Sequence, residues 1–396
     1  MNNRIRVWER STGDQRLAGE MICEIAESGR TQCAFRYSRE FLERSDAFAL
    51  DPVSLPLGPA TFSRDRSGIF PAFEDSLPDD WGRRLLIRKR QIPRQKQNLP
   101  NLLLALGADG LGALSFGEQA HPPPSSSETS ILHLATLAAA AERYERGEDD
   151  TDGLSLLFGA GSSPGGARPK VLVFDEADTV HYLAKLPSVK DRVDVVRIEA
   201  ATMNLAAKGG LAVPPSRLIQ AGGRPILLVR RFDRIPAGYR HMISFQTLLK
   251  AGGYYQLRYG DLLGILRKYS SNPLGDAERL YRQMVFNAVV GNTDDHLKNF
   301  WMTCDHERGW RLSPAFDLIP DVGERGEHVL FFDLGAYYPG RNNLENLGRS
   351  WGIRTAGTVV EEVFAALARW REEFAECGVP ERDSERFKAI DTHLHG

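Results

Sequence analysis

The spacing of hydrophobic residues changes along this chain, from strand-like alternation with a period of about two to helical recurrence with a period of about 3.6. From Val7 to Gly117, short runs such as Gly19-Glu20-Met21-Ile22 and Phe35-Arg36-Tyr37-Ser38 are broken by turn residues, the pattern of a small α+β module. Residues 119–130, QAHPPPSSSETS, favour extended, solvated chain over packing and predict a linker. Leu134, Leu137, Ala141 and Tyr144 then recur at helical spacing, until Gly147 and a run of acids stop the helix. From about Leu156 to Leu228 the pattern is again mostly β. Val171-Leu172-Val173-Phe174 and Tyr182-Leu183-Ala184-Lys185-Leu186 flank an Asp-Glu-Ala-Asp turn and predict a hairpin. Arg197 to Ala207 reads as a helix, and Ile226 to Val229 as a third strand. Beyond it the chain is mostly helical, interrupted by one hairpin. Near the C-terminus Thr358 and Glu361 form a capping-box pattern, and Val360, Val363, Phe364, Leu367, Trp370 and Phe374 line one helical face. No internal repeat is present.

Composition narrows the reading. A chain of 396 residues with 42% apolar content can build two or three domains around real cores. With 50 Lys plus Arg against 52 Asp plus Glu, the net charge is −2, which excludes a uniformly basic surface for sequence-independent nucleic-acid binding. Any DNA contact needs a local patch or a partner. The four cysteines, Cys23, Cys33, Cys304 and Cys377, form no CxxC pair and read as reduced and structural. No charged-then-apolar leader opens the chain, and no apolar run approaches the roughly 18–20 residues needed to span a bilayer. The expectation is a soluble, cytoplasmic protein without a membrane partner. His393 and His395 read as part of a chain-end tail, not as a metal site.

The most informative segment is Gly291-Asn292-Thr293-Asp294-Asp295-His296-Leu297-Lys298-Asn299. Upstream, Asp276 is placed to cap a helix in which Leu280, Met284 and Ala288 recur, with Gly291 as its terminator, so the acidic segment falls in a loop. Asp294 and Asn299 have four residues between them, the gap between the catalytic aspartate and metal-binding asparagine of a kinase loop. Phe300 to Thr303 and Trp310 to Leu312 read as strands joined by a polar turn ending in Gly309. An antiparallel hairpin places the start of its first strand beside the end of its second. Asn299 and Asp317, in Ser313-Pro314-Ala315-Phe316-Asp317-Leu318, are thereby predicted to converge as hard-oxygen ligands for Mg²⁺. The competing reading is that Asp294, Asp295 and Asn299 supply only turn and cap chemistry.

Phosphoryl transfer also needs a cation on the phosphates and an acid to hold it. Lys185 interrupts an apolar run, where an ammonium requires a counter-charge, and Glu199 follows fourteen residues later on the predicted helix. A solvated edge-strand lysine is the alternative. The loop from Phe158 to Lys170 carries Gly165 and Gly166, whose backbone can approach an anion closely, and Lys170 adds charge. It matches neither the Walker A nor the GxGxxGxV pattern, and a flexible turn fits it as well.

Together these segments resemble the HipA family of toxin kinases. The resemblance is carried in family order by Leu77-Pro78-Asp79-Asp80-Trp81-Gly82-Arg83-Arg84-Leu85, Gly165-Gly166-Ala167-Arg168-Pro169-Lys170, Ala184-Lys185-Leu186-Pro187, Arg230-Arg231-Phe232-Asp233-Arg234, Gly291 to Asn299 and Leu312 to Asp317. It implies an α+β, two-lobed protein kinase-like fold with a small N-terminal α+β subdomain and a mainly helical C-terminal lobe. The corresponding division is 1–118, a linker at 119–130, a β-rich nucleotide-binding part at 131–230 and a helical catalytic lobe at 231–396. By resemblance Asp294 is the catalytic aspartate, Asn299 and Asp317 are magnesium ligands, and Lys185 is the ATP lysine with Glu199 its helix partner. Gly165, Gly166 and Lys170 belong to the nucleotide loop. Ser163, with Ser162 adjacent, matches the family's autophosphorylated serine. The implied cofactors are ATP and Mg²⁺. The implied partners are a HipB-like helix-turn-helix antitoxin, DNA only through that antitoxin, and a protein substrate such as an aminoacyl-tRNA synthetase. His296 follows the aspartates, unlike eukaryotic kinases, and no DFG or APE follows. A kinase-fold binding or repressor module, and a kinase acting on a small-molecule or lipid acceptor, are the competing functions.

Overall fold

The structure, a computed structural model, describes residues 2–64, 68–126, 128–148, 151–160, 168–333 and 335–395. Its fold class is α+β. The N-terminal subdomain is an antiparallel sheet of β1 (Asn2–Glu9), β2 (Arg16–Ile25), β3 (Thr31–Tyr37), β4 (Phe62–Ser63) and β5 (Leu114–Gly117), in the order β4-β3-β2-β1-β5. Along β3 burial alternates, with Thr31, Cys33, Phe35 and Tyr37 facing inward, as a half-buried strand requires. Phe35, Phe41, Phe70, Phe73 and Phe116 fill this core.

The expectation of four reduced cysteines is corrected here. Cys23 and Cys33 are direct partners in the register of β2 and β3, with Cα atoms 4.2 Å apart, and they form a disulfide. Only the register reveals the pair, because ten residues of separation form no motif. Cys304 and Cys377 are free.

Among its described residues the expected linker carries no helix or regular strand but is tied down. Ser126 donates through both N and Oγ to the Asp109 carboxylate, at 2.8 and 2.5 Å, and Phe174 N donates to Thr129 O at 2.8 Å. The helix Leu134–Arg146 follows, ended by Gly147 at φ 76°, a left-handed cap that suits glycine.

The β-rich lobe is an antiparallel sheet of β6 (Lys170–Asp175), β7 (Val180–Lys185), β8 (Ser216–Ala221) and β9 (Arg224–Arg230), ordered β6-β7-β9-β8. The helix Val195–Lys208 crosses it. β8 was not foreseen, because it is a half-exposed edge with little hydrophobic alternation. A minor hairpin, β10 (Arg234–Ile235) and β11 (Gly238–Tyr239), leads to β12 (His241–Ser244), which pairs with β13 (Trp301–Asp305), itself paired with β14 (Gly309–Leu312).

The helical lobe is built on Pro273–Val290, whose N-cap is Asn272, accepting from Gly275 N at 3.2 Å. Asp276 is therefore not the cap. Pro273 starts the helix one turn earlier, and the buried Asp276 carboxylate instead accepts from Arg311 and from Leu312 N, fastening β14 to the helix. The capping-box reading at Thr358 is also corrected: the helix Ala356–Leu367 starts before it, with Thr355 as N-cap. Trp370 and Phe374 lie on a separate helix, Trp370–Glu376, yet both are buried in the same core. Among the described residues no helix is long and apolar enough to cross a membrane.

His241 joins the N-terminal subdomain to the remainder. Fully buried against Phe48 and Trp310, its Nε2 bonds Leu50 O at 2.7 Å, and burial lowers its pKa to about 4. The neutral imidazole is the folded species, whereas the unfolded chain takes up a proton near the ordinary value. Stability is thus fully present above about pH 6.5 and is lost as pH falls toward 4, by on the order of 3 kcal/mol. The thermal midpoint measured from pH 7.5 to 4.5 is expected to fall less in His241→Gln than in the wild type; an identical slope would remove His241 as the cause.

Candidate active site

Gly291, at φ 73°, ends the Pro273–Val290 helix in a left-handed cap and turns the chain into the acidic loop. The two adjacent aspartates then separate. Asp295 is fully buried and accepts from Tyr259 Oη at 2.6 Å, Val329 N at 2.8 Å and Leu330 N at 3.2 Å, with His328 Nδ1 at 2.9 Å. It anchors the loop. Asp294 is half exposed, and its carboxylate accepts from Arg325 Nη1 at 2.7 Å. Asn299, in the short turn Leu297–Asn299, donates through its amide nitrogen to Asp294 O at 2.8 Å, so the amide oxygen is the atom suited to a cation.

The expected hairpin is present as β13 and β14, and Asn299 and Asp317 both line one cavity of about 390 Å³. Asp317 has φ 51°, a left-handed conformation costly for a residue with a Cβ and frequent where function fixes the backbone. Its carboxylate is in contact with Lys185 Nζ, which also contacts the Glu199 carboxylate. Strand β7 thus presents the ammonium, the Val195–Lys208 helix presents Glu199, and the segment after β14 presents Asp317. Lys170 is the direct register partner of Lys185 and is also buried. Like charges opposed across strands repel, so two buried ammoniums side by side need anions facing them.

The fields agree with that arrangement. Burial alone would depress Lys185, but Asp317 and Glu199 together outweigh it and hold the ammonium well above its usual range. Burial likewise opposes ionisation of Asp317, yet Lys185, then Lys170 and His296, hold its carboxyl far below the ordinary carboxylate range. Glu199 is raised by burial and by the neighbouring Asp317 charge, partly offset by the lysines. Lys170 is lowered by burial. Two carboxylates share one ammonium.

Part of the remaining wall is apolar, with Leu183, Leu186, Met203, Val229, Phe232 and Ile319 offering a surface for a flat ring. Asp294, Asn299, Asp317, Lys185, Glu199 and Lys170 thus line one space. Gly165, Gly166, Ser162 and Ser163 lie outside the described residues. The sequence reading missed three further features: His296 in the lining, Arg325 on Asp294, and an ion pair from Lys298 Nζ to Asp79 at 2.8 Å. Only the last had a sequence signal, the Leu77 to Leu85 motif. Among the described residues no group of three His, Cys, Asp or Glu side chains could hold a metal. Asp317 and Asn299 suffice for a cation that keeps several waters and takes other ligands from phosphates.

Residues 162–371 match the family model of the HipA-like C-terminal domain, and residues 14–117 that of the HipA N-terminal domain. The chain is 29% identical over 333 residues to the protein Y4mE of Sinorhizobium fredii, covering 77% of this chain and 76% of that one. It is 26% identical over 346 residues to the serine/threonine-protein kinase toxin HipA of Shewanella oneidensis, covering 78% and 75% of the two chains. The solved Shewanella oneidensis HipA, in complex with HipB and operator DNA, has the same fold. The TM-score is 0.68 at 19% identity, over 98% of this chain and 95% of that one.

Lys185→Met tests the charge cluster. It leaves the Glu199 and Asp317 carboxylates without their shared ammonium, so the thermal midpoint is expected to drop. Nucleotide affinity, read by titration calorimetry, is expected to fall at least about tenfold. Unchanged nucleotide affinity would detach Lys185 from the site.

Proposed function

This chain belongs to the HipA family and is a kinase, and from that premise we propose that it is an ATP- and Mg²⁺-dependent serine/threonine protein kinase acting as the toxin of a toxin-antitoxin pair. The observation that carries the reading is the meeting of Lys185, Glu199 and Asp317 in a cavity also lined by Asp294 and Asn299. A scaffold or repressor alone has no need of this set.

In this proposal Asp294 orients the acceptor hydroxyl and takes its proton as the oxygen attacks. Lys185 and Lys170 neutralise phosphate charge, and Glu199 fixes Lys185. Asn299 and Asp317 would hold Mg²⁺, which when bound offsets charge on the phosphate oxygens. The fit of a cation beside Asp317 is supported by the ammonium that already lies there. Arg325 must leave Asp294 to admit an acceptor, and a pair exposed this far is worth only about 0–1 kcal/mol.

The proposal extends to organisation and regulation. The division is 1–118, 119–130, 131–230 and 231–396. By the family resemblance the Gly165-Gly166 loop would serve the phosphates, and autophosphorylation of Ser163 or Ser162 would add about −1.5 to −2 charge against the nucleotide's own anion, expelling the loop. A HipB-like helix-turn-helix antitoxin would neutralise the toxin and connect it to DNA. The Shewanella oneidensis relative assembled with HipB and operator DNA supports this. The proposed acceptor is a translation component such as an aminoacyl-tRNA synthetase, in the cytoplasm.

Incubation with labelled ATP is expected to transfer phosphate to protein. Asp294→Asn should cut the rate at least about a hundredfold with the thermal midpoint unchanged, since the side chain is half exposed. An undiminished rate would remove Asp294 from the chemistry. Mass spectrometry after incubation is expected to find phosphate on Ser162 or Ser163, and its absence from both would end the regulatory proposal. Phosphoproteomics of cells expressing the wild type against the Asp294 variant identifies the acceptor; label found only on metabolites or lipids would select the small-molecule alternative.

A further inference from the structure

One stretch has no part in the mechanism above: Leu77-Pro78-Asp79-Asp80-Trp81-Gly82-Arg83-Arg84-Leu85. Its side chains, with those just before and after it, serve three cores. Trp81 and Leu85, on the helix Asp80–Lys89, are buried in the β-rich lobe with Leu134, Leu137 and Val171. Leu77 and Leu86 are buried in the N-terminal subdomain with Phe35 and Phe73. Ala72, on the helical turn Pro71–Glu74, belongs to the core of the helical lobe.

Two carboxylates, Asp79 from this stretch and Asp75 just before it, reach the helical lobe. Asp75, partly buried, accepts from Ser244 N and Ser244 Oγ, each at 2.8 Å. Asp79 is the N-cap residue of the Asp80–Lys89 helix but makes no capping bond to it. Its carboxylate accepts from Lys298 Nζ at 2.8 Å instead.

Both contacts land on the backbone that carries the site. Lys298 precedes Asn299 in the Leu297–Asn299 turn and follows Asp294 by four residues. Ser244 is the register partner of Trp301, and Phe245 N donates to Phe300 O at 2.9 Å, so Asp75 braces the strand that leaves Asn299. The loop between Asp294 and Trp301 is thus held on both sides by one segment of the N-terminal subdomain. Glu74, Leu77 and Asp79 also form part of the cavity wall.

The geometry points to a proposal of our own, resting on the kinase reading: Asp79, acting through Lys298, is a positioning residue that sets Asn299 and Asp294 against Lys185. The N-terminal subdomain is then part of the active site and not an appended module. The side chains of the pair are 28% and 38% exposed, so the bond contributes little to stability. Its effect falls on rate, because small displacements of catalytic groups cost far more in turnover than in folding.

The test uses the full chain. Phosphate transfer by the wild type, cut at least about a hundredfold by Asp294→Asn, is the reference; if it is missing, the kinase reading fails whatever Asp79 does. Given that reference, Asp79→Asn is expected to lower kcat about tenfold, leaving nucleotide affinity and thermal midpoint unchanged. Lys298→Met should lose as much, and the exchanged pair Asp79→Lys with Lys298→Asp should recover most of the rate. A merely structural contact would lower the thermal midpoint and nucleotide affinity together and would not be rescued by the exchange. An unchanged or raised kcat in Asp79→Asn overturns the proposal. So does an exchanged pair no faster than the single variants at an unchanged midpoint.

Discussion

The arrangement around the cavity depends on one constraint: a buried ammonium on β7 must find negative charge, and the chain supplies it from two distant places. Glu199 comes from the helix that crosses the sheet and Asp317 from the segment beyond β14, 132 residues away from Lys185. Neither carboxylate would be stable there without the lysine, and the lysine would not be stable without them. Because Lys170 stands directly opposite Lys185, the strand pair by itself is electrostatically unfavourable. The β-rich lobe is therefore completed by a carboxylate from the helical lobe, and what fixes the two lysines also fixes how the lobes meet.

A second division of labour lies within the acidic loop. Adjacent aspartates with the same intrinsic chemistry are separated by burial. Asp295 accepts from Tyr259 and from two backbone amides, which ties the loop to the segment at 328–330, while Asp294 stays half exposed. A carboxylate satisfied by several donors has no capacity left for an incoming hydroxyl, whereas one engaged by a single exposed arginine does. The burial of Asp295 is what lets Asp294 be both exposed and placed.

Much of this was legible in the sequence, and for definite reasons. The hairpin argument placed Asn299 and Asp317 on one cavity because strand pairing converts sequence order into spatial order. Lys185 and Glu199 were visible because an ammonium in an apolar run needs a partner and the next helix offered one. What escaped detection has no local period. The edge strand β8 lacks alternation, and β12 is only four residues long. The Cys23–Cys33 pair depends on register, and Asp276 looked like a cap until Pro273 was seen to start its helix earlier. Arg325 on Asp294 and Asp79 on Lys298 join residues 31 and 219 positions apart, which no local spacing encodes, although the second partner lies in the Leu77 to Leu85 motif. The glycine loop with Ser162 and Ser163 lies outside the described residues, so its reading still rests on resemblance.

The contacts also form a gradient that suits phosphoryl transfer. Around Lys185 the charges are mutually dependent, so moving Lys185, Lys170, Glu199 or Asp317 singly leaves an uncompensated charge in the cavity. Around Asp294 the pair with Arg325 is half exposed, and solvent can replace either partner at little cost. A kinase must hold its nucleotide rigidly while admitting and releasing a bulky acceptor. Rigidity at one end with exchange at the other follows from depth of burial alone, because the same ion-pair chemistry that locks in a dry cavity yields at its mouth.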